Sequence, residues 1–89
     1  MSQRYMRIKT QLNKKLFPTT LKIRDDSALH ASHGNVEKNS TETHFYIKVV
    51  SSVFNNKSKL DMHKLVYEIL NEEFSKGLHA LELELSNTE

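Results

Sequence analysis

An 89-residue chain with 37% hydrophobic and 27% charged residues has the size and make-up of one small soluble domain. It contains no cysteine, which excludes a disulfide framework, a thiolate nucleophile and a cysteine-built zinc site. The net charge of +2 hides an asymmetry: Arg4, Arg7, Lys9, Lys14, Lys15, Lys22 and Arg24 put +7 on residues 1–24 with no acid, while residues 25–89 stand at −5. A basic leading segment raises nucleic acid, a membrane surface or a targeting signal as partners to consider. No apolar run approaches the about 20 residues that span a bilayer.

Residues 3–16 predict a helix. Tyr5, Ile8, Leu12 and Leu16 recur at spacings of three and four and share one face, with the basic residues mostly elsewhere. Pro18 stops the helix and biases Phe17 away from helical angles. An acid-poor, arginine-bearing amphipathic start also fits a mitochondrial transit peptide. The docked-helix reading is preferred, because so short a chain would keep a poor core without it.

Residues 19–26 alternate, Leu21 and Ile23 against Lys22 and Arg24, as a half-buried strand does. Residues 27–42 lack periodicity and form a long polar loop holding His30, His33 and Gly34. Its Asn39-Ser40-Thr41 matches a glycosylation acceptor pattern and is read as a chance match. Residues 43–50 are the clearest strand, with Phe45, Ile47 and Val49 on the inner face. A polar connector follows, with Val53 and Phe54 expected to anchor in the core. Residues 58–76 predict the main helix, opened by Ser58 with Asp61 three residues on. Met62, Val66, Ile69, Leu70 and Phe74 form its buried stripe, and Gly77 closes it. In residues 78–86, Leu81, Leu83 and Leu85 alternate with Glu82 and Glu84 as a last strand. The expected whole is a single α+β domain over 1–89 with its core within about 3–86. Both helices would lie on one face of a three-stranded mixed sheet, giving two layers.

No catalytic grouping is present in the sequence. Gly34 and Gly77 are the only glycines, so there is no phosphate loop, and the carboxylates fall on solvated faces. The chain is expected not to be an enzyme. The five histidines are the informative residues: His30, His33, His44, His63 and His79. Imidazole is a common ligand for zinc, copper and iron. His30 and His33 are three apart in a loop and could converge on one metal, or simply be exposed. His79 opens the last strand and could instead bond the carbonyls that end the main helix. His63 suits a partly buried structural role, and His44 could cap its strand.

Five short blocks stand in a particular order: Asp25-Asp26-Ser27 with His30, Thr43-His44-Phe45, Val49-Val50-Ser51 with Phe54, His63 ahead of Leu65-Val66-Tyr67, and Leu78-His79-Ala80-Leu81. Together they resemble the BolA-like proteins over roughly residues 16–85. The resemblance implies an αββααβ order similar to a type II KH domain, with a short extra helix or turn at residues 52–56. It also implies pairing with a monothiol glutaredoxin in a heterodimer that shares a 2Fe–2S cluster, the glutaredoxin giving a cysteine and recruiting glutathione. On this chain the implied ligands are His79 and a loop residue, His30, with His33 as its alternative. The isolated chain would be a cofactor-free monomer with no membrane association. Neutral imidazoles replacing thiolates raise a cluster's potential, as in Rieske centres, and a loop ligand suits a cluster meant to be handed on.

The implied role is adaptor work in iron–sulfur cluster trafficking or iron sensing. The compartment expected is the cytoplasm, or else the mitochondrial matrix. Where the family commonly has Arg-His-Arg, this chain has Met62-His63-Lys64. Lysine lacks arginine's planar fork, so His63 and Lys64 would contact a partner or a nucleic acid differently. A nucleic-acid-binding transcriptional regulator is the second reading. A GXXG clamp is absent, which weighs against the KH mode of binding.

Overall fold

The computed structural model describes residues 3–27 and 43–89. The elements are α1 (Gln3–Leu16), β1 (Thr20–Asp25), β2 (His44–Val50), a 3₁₀ turn (Ser52–Phe54), α2 (Lys59–Ile69), α3 (Asn71–Ser75) and β3 (Ala80–Ser86). The sheet order is β1-β2-β3, with β1 antiparallel and β3 parallel to β2. The α+β order αββααβ is therefore met, including the short turn after β2.

The core lies between the helices and one sheet face. Ile8, Leu12 and Leu16 of α1, Met62 and Val66 of α2, and Leu70 between α2 and α3 are buried against Phe45, Ile47, Val49 and Leu85. Leu21, Ile23, Leu81 and Leu83 pack around them half-buried. Burying each large apolar side chain contributes about 1.5–3 kcal/mol. Lys22, Arg24, Lys48, Glu82 and Glu84 line the other face, as the alternation requires. α1 is thus part of the core and not merely a basic leader.

Local chemistry sets the boundaries. The Ser58 hydroxyl accepts from the Asp61 N–H and starts α2. Phe17, ahead of Pro18, ends α1 with a left-handed φ of 45° rather than the extended angles its position favours. Its N–H still donates to the Asn13 carbonyl. The fully buried Ser51 hydroxyl donates to the Leu16 carbonyl and accepts from the Val53 N–H, tying α1, β2 and the 3₁₀ turn together.

Two expectations are corrected. The main helix is not continuous over 58–76. It breaks at Leu70, whose angles (φ −99°, ψ 13°) leave the helical region while its side chain stays in the core. Val53 does not anchor in the core; it faces outward, and the completely buried Phe54 fills that place alone. The basic residues of α1 are mostly off its apolar face, as expected, and Arg4 is the buried one.

Arg4 and Glu73 explain one another. Arg4 continues the four-residue spacing of Ile8, Leu12 and Leu16, and Glu73 continues Met62, Val66 and Leu70. Both stripes end on a charge, and the charges meet. Arg4 Nε donates to Glu73 Oε1 at 3.0 Å. Arg7 donates through Nε and Nη2 at 2.7 and 2.8 Å to the same carboxylate. Arg4 Nη2 also donates to the Lys76 carbonyl at 2.6 Å, closing the end of α3. Hydrogen bonds from Arg7, opposed by burial and joined by those from Arg4, hold the Glu73 carboxyl below its ordinary pKa of 4.5.

A group with a depressed folded pKa stabilises fully above its unfolded value and loses that contribution as pH falls through the folded one. Wild-type stability in a denaturant series should therefore fall as pH drops below about 4.5. Glu73→Gln should flatten that part of the pH profile. Glu73→Ala, which leaves Arg4 buried without its carboxylate, should cost about 3 kcal/mol near neutral pH.

Candidate histidine site at the sheet end

Gly77 takes φ +116°, and a Cβ there would lie 3.3 Å from Arg4 Nη2. Glycine is favoured by that φ, which L side chains rarely adopt, and a Cβ would crowd the Arg4 guanidinium. The Leu78 N–H returns to the Glu73 carbonyl at 2.9 Å, and the Leu78 side chain is buried. The chain then reaches His79, whose N–H donates to the Thr43 carbonyl at 2.8 Å. His79 therefore enters parallel pairing beside the first residues of β2. It does not bond the helix-ending carbonyls; Arg4 takes that role at Lys76.

Parallel strands begin at the same end of a sheet. Here His44 pairs in register with Ala80, so the histidines that open β2 and β3 become neighbours. Their ring centroids are 5.8 Å apart at an interplanar angle of 83°, an edge-to-face contact. His79 is exposed and His44 half-buried. Thr43 Oγ1 lies 3.0 Å from His44 Nδ1. The Asp26 N–H donates to the His44 carbonyl at 2.7 Å and closes the β1 side of the same end. A shallow cavity of ≈ 200 Å³ beside the pair is lined by Asp26, His44, Phe45, Ala80, Leu81 and Glu82.

The structure separates the sequence-level candidates. His79 and His44 are together. His63 is not with them: it lies on α2 with Nδ1 2.8 Å from the Lys59 carbonyl, and Lys64 is exposed beside it. His30, His33 and the Asn39-Ser40-Thr41 pattern lie outside the described residues. Sequence reasoning passed over His44 as a strand cap. The overlooked signal was its place as the first residue of one strand while His79 immediately precedes another, once those strands are read as parallel neighbours.

Much of the open sheet face is internally paired. Arg24 donates to both carboxylate oxygens of Asp26 at 2.7 and 3.1 Å and sits 4.6 Å from the Tyr46 ring centre. The hydrogen bond that Arg24 donates to Asp26 raises the Arg24 pKa further. Tyr46 donates to Glu84, and Lys48 Nζ lies 3.4 Å from Glu84. Desolvation, then the Glu84 charge, raises the Tyr46 phenol pKa. Among the seven leading cations, Arg4, Arg7 and Arg24 thus carry carboxylate partners, whereas Lys9, Lys14, Lys15 and Lys22 are exposed.

What emerges is a small KH-like α+β domain with a histidine pair at one sheet end. A sequence profile described as BolA-like protein matches residues 12–89, and the chain belongs to the BolA-like family. SufE-like protein 1 of Arabidopsis thaliana, described as chloroplastic/mitochondrial, is 40% identical over 86 residues, covering 93% of this chain and 23% of that protein. The solved BolA domain of SufE1 from the same plant superposes with a TM-score of 0.86 at 38% identity, over 98% of this chain and 95% of that one. BOLA1 of the same plant, described as chloroplastic, is 41% identical over 81 residues, covering 90% of this chain and 51% of its own length. A Haemophilus influenzae protein named DNA-binding transcriptional regulator BolA is 37% identical over 82 residues, covering 92% and 75%. The chain thus spans less than a quarter of SufE-like protein 1 and about half of BOLA1. Among the described residues, no helix is long and apolar enough to cross a membrane.

The edge-to-face contact should be visible in solution. Removing the His79 ring by His79→Ala should shift the His44 ring protons through loss of ring current and leave those of His63 in place. Unchanged His44 resonances in an aromatic proton spectrum would count against the pairing.

Proposed function

We propose that this chain is an adaptor that pairs with a monothiol glutaredoxin and shares a 2Fe–2S cluster with it, for cluster trafficking or iron sensing. One observation carries the reading. His79 is held by its backbone at the sheet end where β1 finishes and β2 begins, in a chain of the BolA-like family with no cysteine of its own. A backbone-fixed imidazole is a donor of constant position, and the second ligand in this reading is His30 or alternatively His33.

The donor chemistry fits a half-site. Cluster iron takes thiolate or imidazole ligands, and histidine replaces cysteine at one iron of Rieske centres. This chain has imidazoles to give and no thiolate, so the thiolates come from the glutaredoxin cysteine and glutathione. When bound, the cluster supplies iron and electron-accepting capacity. This chain binds, orients and releases it, and no covalent step is assigned to its residues. Its described carboxylates are mostly exposed or tied in ion pairs, which supports binding over catalysis. The cytoplasm or the mitochondrial matrix, where glutaredoxin partners and reduced glutathione are available, suits this role.

Transcriptional regulation is the second reading, favoured by the name of the Haemophilus relative. Its contact residues would be His63 and Lys64 of α2 with the exposed lysines of α1. Asp61 and Glu68 on the exposed side of α2, and Glu72 on α3, oppose phosphate. Three of the seven leading cations are already paired, which further reduces the attraction.

Reconstituting the cluster with a monothiol glutaredoxin and glutathione distinguishes the two. The wild-type mixture should develop the visible absorbance of a mixed histidine–thiolate cluster, distinct from that of glutaredoxin alone. His79→Ala should abolish that distinct spectrum, and an unchanged spectrum defeats the assignment. Duplex DNA should bind only weakly and lose affinity steeply with added salt. Sequence-selective binding at moderate salt would instead favour the regulator.

A further inference from the structure

We infer that the sheet end opposite the histidines, carried by Phe17, Val53 and Leu60, docks this domain on an anionic lipid bilayer. This departs from the expectation of no membrane association. It does not depend on the glutaredoxin reading, because it uses no residue of the histidine end.

Phe17 sits in a costly conformation without a folding reward. Its φ of 45° stands directly ahead of Pro18, an arrangement unfavourable for a bulky L residue. The core gives nothing in return, since Phe17 remains 75% exposed. Asparagine or glycine would take this φ more readily. The fold thus holds a large apolar ring in water at a position that suits a small or polar residue, and such outliers point to function.

Ser51 brings a second apolar side chain to the same place. Its buried hydroxyl donates to the Leu16 carbonyl, next to Phe17, and accepts from the Val53 N–H at 3.1 Å. The backbones of Phe17 and Val53 are thereby fastened to one oxygen, and Val53 is exposed as well. Leu60, 62% exposed, opens α2 at this end: the neighbouring Lys59 Nζ donates to the Leu85 carbonyl, where β3 finishes. Single exposed apolar residues are ordinary, but three at one end of a small domain form a patch.

Charge indicates what the patch meets. Lys14, Lys15 and Lys57 are exposed around it, and Lys59 adds a fourth cation. Against them stand Asp61 and Glu89, the latter accepting from the Thr20 hydroxyl. The surplus is positive, as an anionic headgroup layer requires, and it would repel a second copy of the same face. Lysine stems can lie along the interface while their amines reach phosphate. Shape favours a bilayer over a peptide. The cavity between α1 and the α2–α3 junction and the one beside His44 both lie elsewhere, and here the apolar side chains stand on turns and a helix start. A fluid interface conforms to such projections, whereas an apolar peptide docks in a groove.

Flotation of the full chain with vesicles of phosphatidylcholine alone, and of phosphatidylcholine with about one-third phosphatidylglycerol, tests this. The chain should float with the anionic vesicles and much less with the neutral ones. Phe17→Asn should weaken anionic-vesicle binding about tenfold or more, while its melting temperature stays equal or rises, because asparagine accepts a positive φ. Lys14→Gln/Lys15→Gln should weaken binding by about fivefold for each lysine. Backbone amide spectra confirm that both variants are folded. In bicelles of the anionic mixture, a spin-labelled lipid should broaden the Phe17, Val53 and Leu60 signals ahead of those of Met6 and Tyr67, which are exposed elsewhere. No flotation with anionic vesicles, unchanged binding by Phe17→Asn, or broadening of Met6 and Tyr67 ahead of this patch would each overturn the inference. Phe17-dependent binding of poly-glutamate without lipid would assign the face to an acidic protein and overturn it too. Cluster sharing is read at His79 with glutaredoxin present, so its failure and the failure of this face are separate results.

Discussion

One buried carboxylate organises this domain. Glu73 receives both Arg4 and Arg7 and so fastens the start of α1 to the end of the helical layer. Arg4 goes further and closes the Lys76 carbonyl, and its guanidinium packs against Gly77, whose φ of +116° favours glycine. Burying charges is costly unless they are paired and hydrogen-bonded. Here Glu73 accepts three arginine N–H bonds, which meets that condition. The consequence is positional: the turn that leaves α3 is locked, and the residue delivered two positions later is His79.

The sheet completes the placement. Because β3 runs parallel to β2, both strands start at one end, and register sets His44 against Ala80. A shift of one residue would reverse the inward leucines and the outward glutamates of β3. The core therefore enforces the register, and the register brings the two histidine rings together. Packing at Leu81, Leu83 and Leu85 thus determines the geometry of a polar site that none of these leucines need touch.

The basic leading segment acquires a different meaning in three dimensions. Its arginines serve the fold and the sheet surface, Arg4 and Arg7 on Glu73 and Arg24 on Asp26. Its lysines remain as an exposed cationic surface, and flexible lysines at a solvated surface give general rather than specific attraction. A charge count along the chain could not separate these roles, because it ignores which cations have partners.

Much of the architecture was legible from residue pattern alone. Alternation identified Leu21–Ile23, Phe45–Val49 and Leu81–Leu85 as inner strand faces, and Ser58 and Gly77 marked helix limits, because these signals are local and backbone geometry enforces them. The absence of cysteine was equally definite and removes thiolate donors from this chain. The break at Leu70, the burial of Arg4 and Glu73, and the meeting of His44 with His79 were decided only by tertiary structure. Each depends on groups far apart in sequence: Arg4 and Glu73 are 69 residues apart. Such partners are chosen by three-dimensional packing and strand register. A buried charge looks like an exposed one in sequence until its counter-charge is seen to end the stripe on the facing helix.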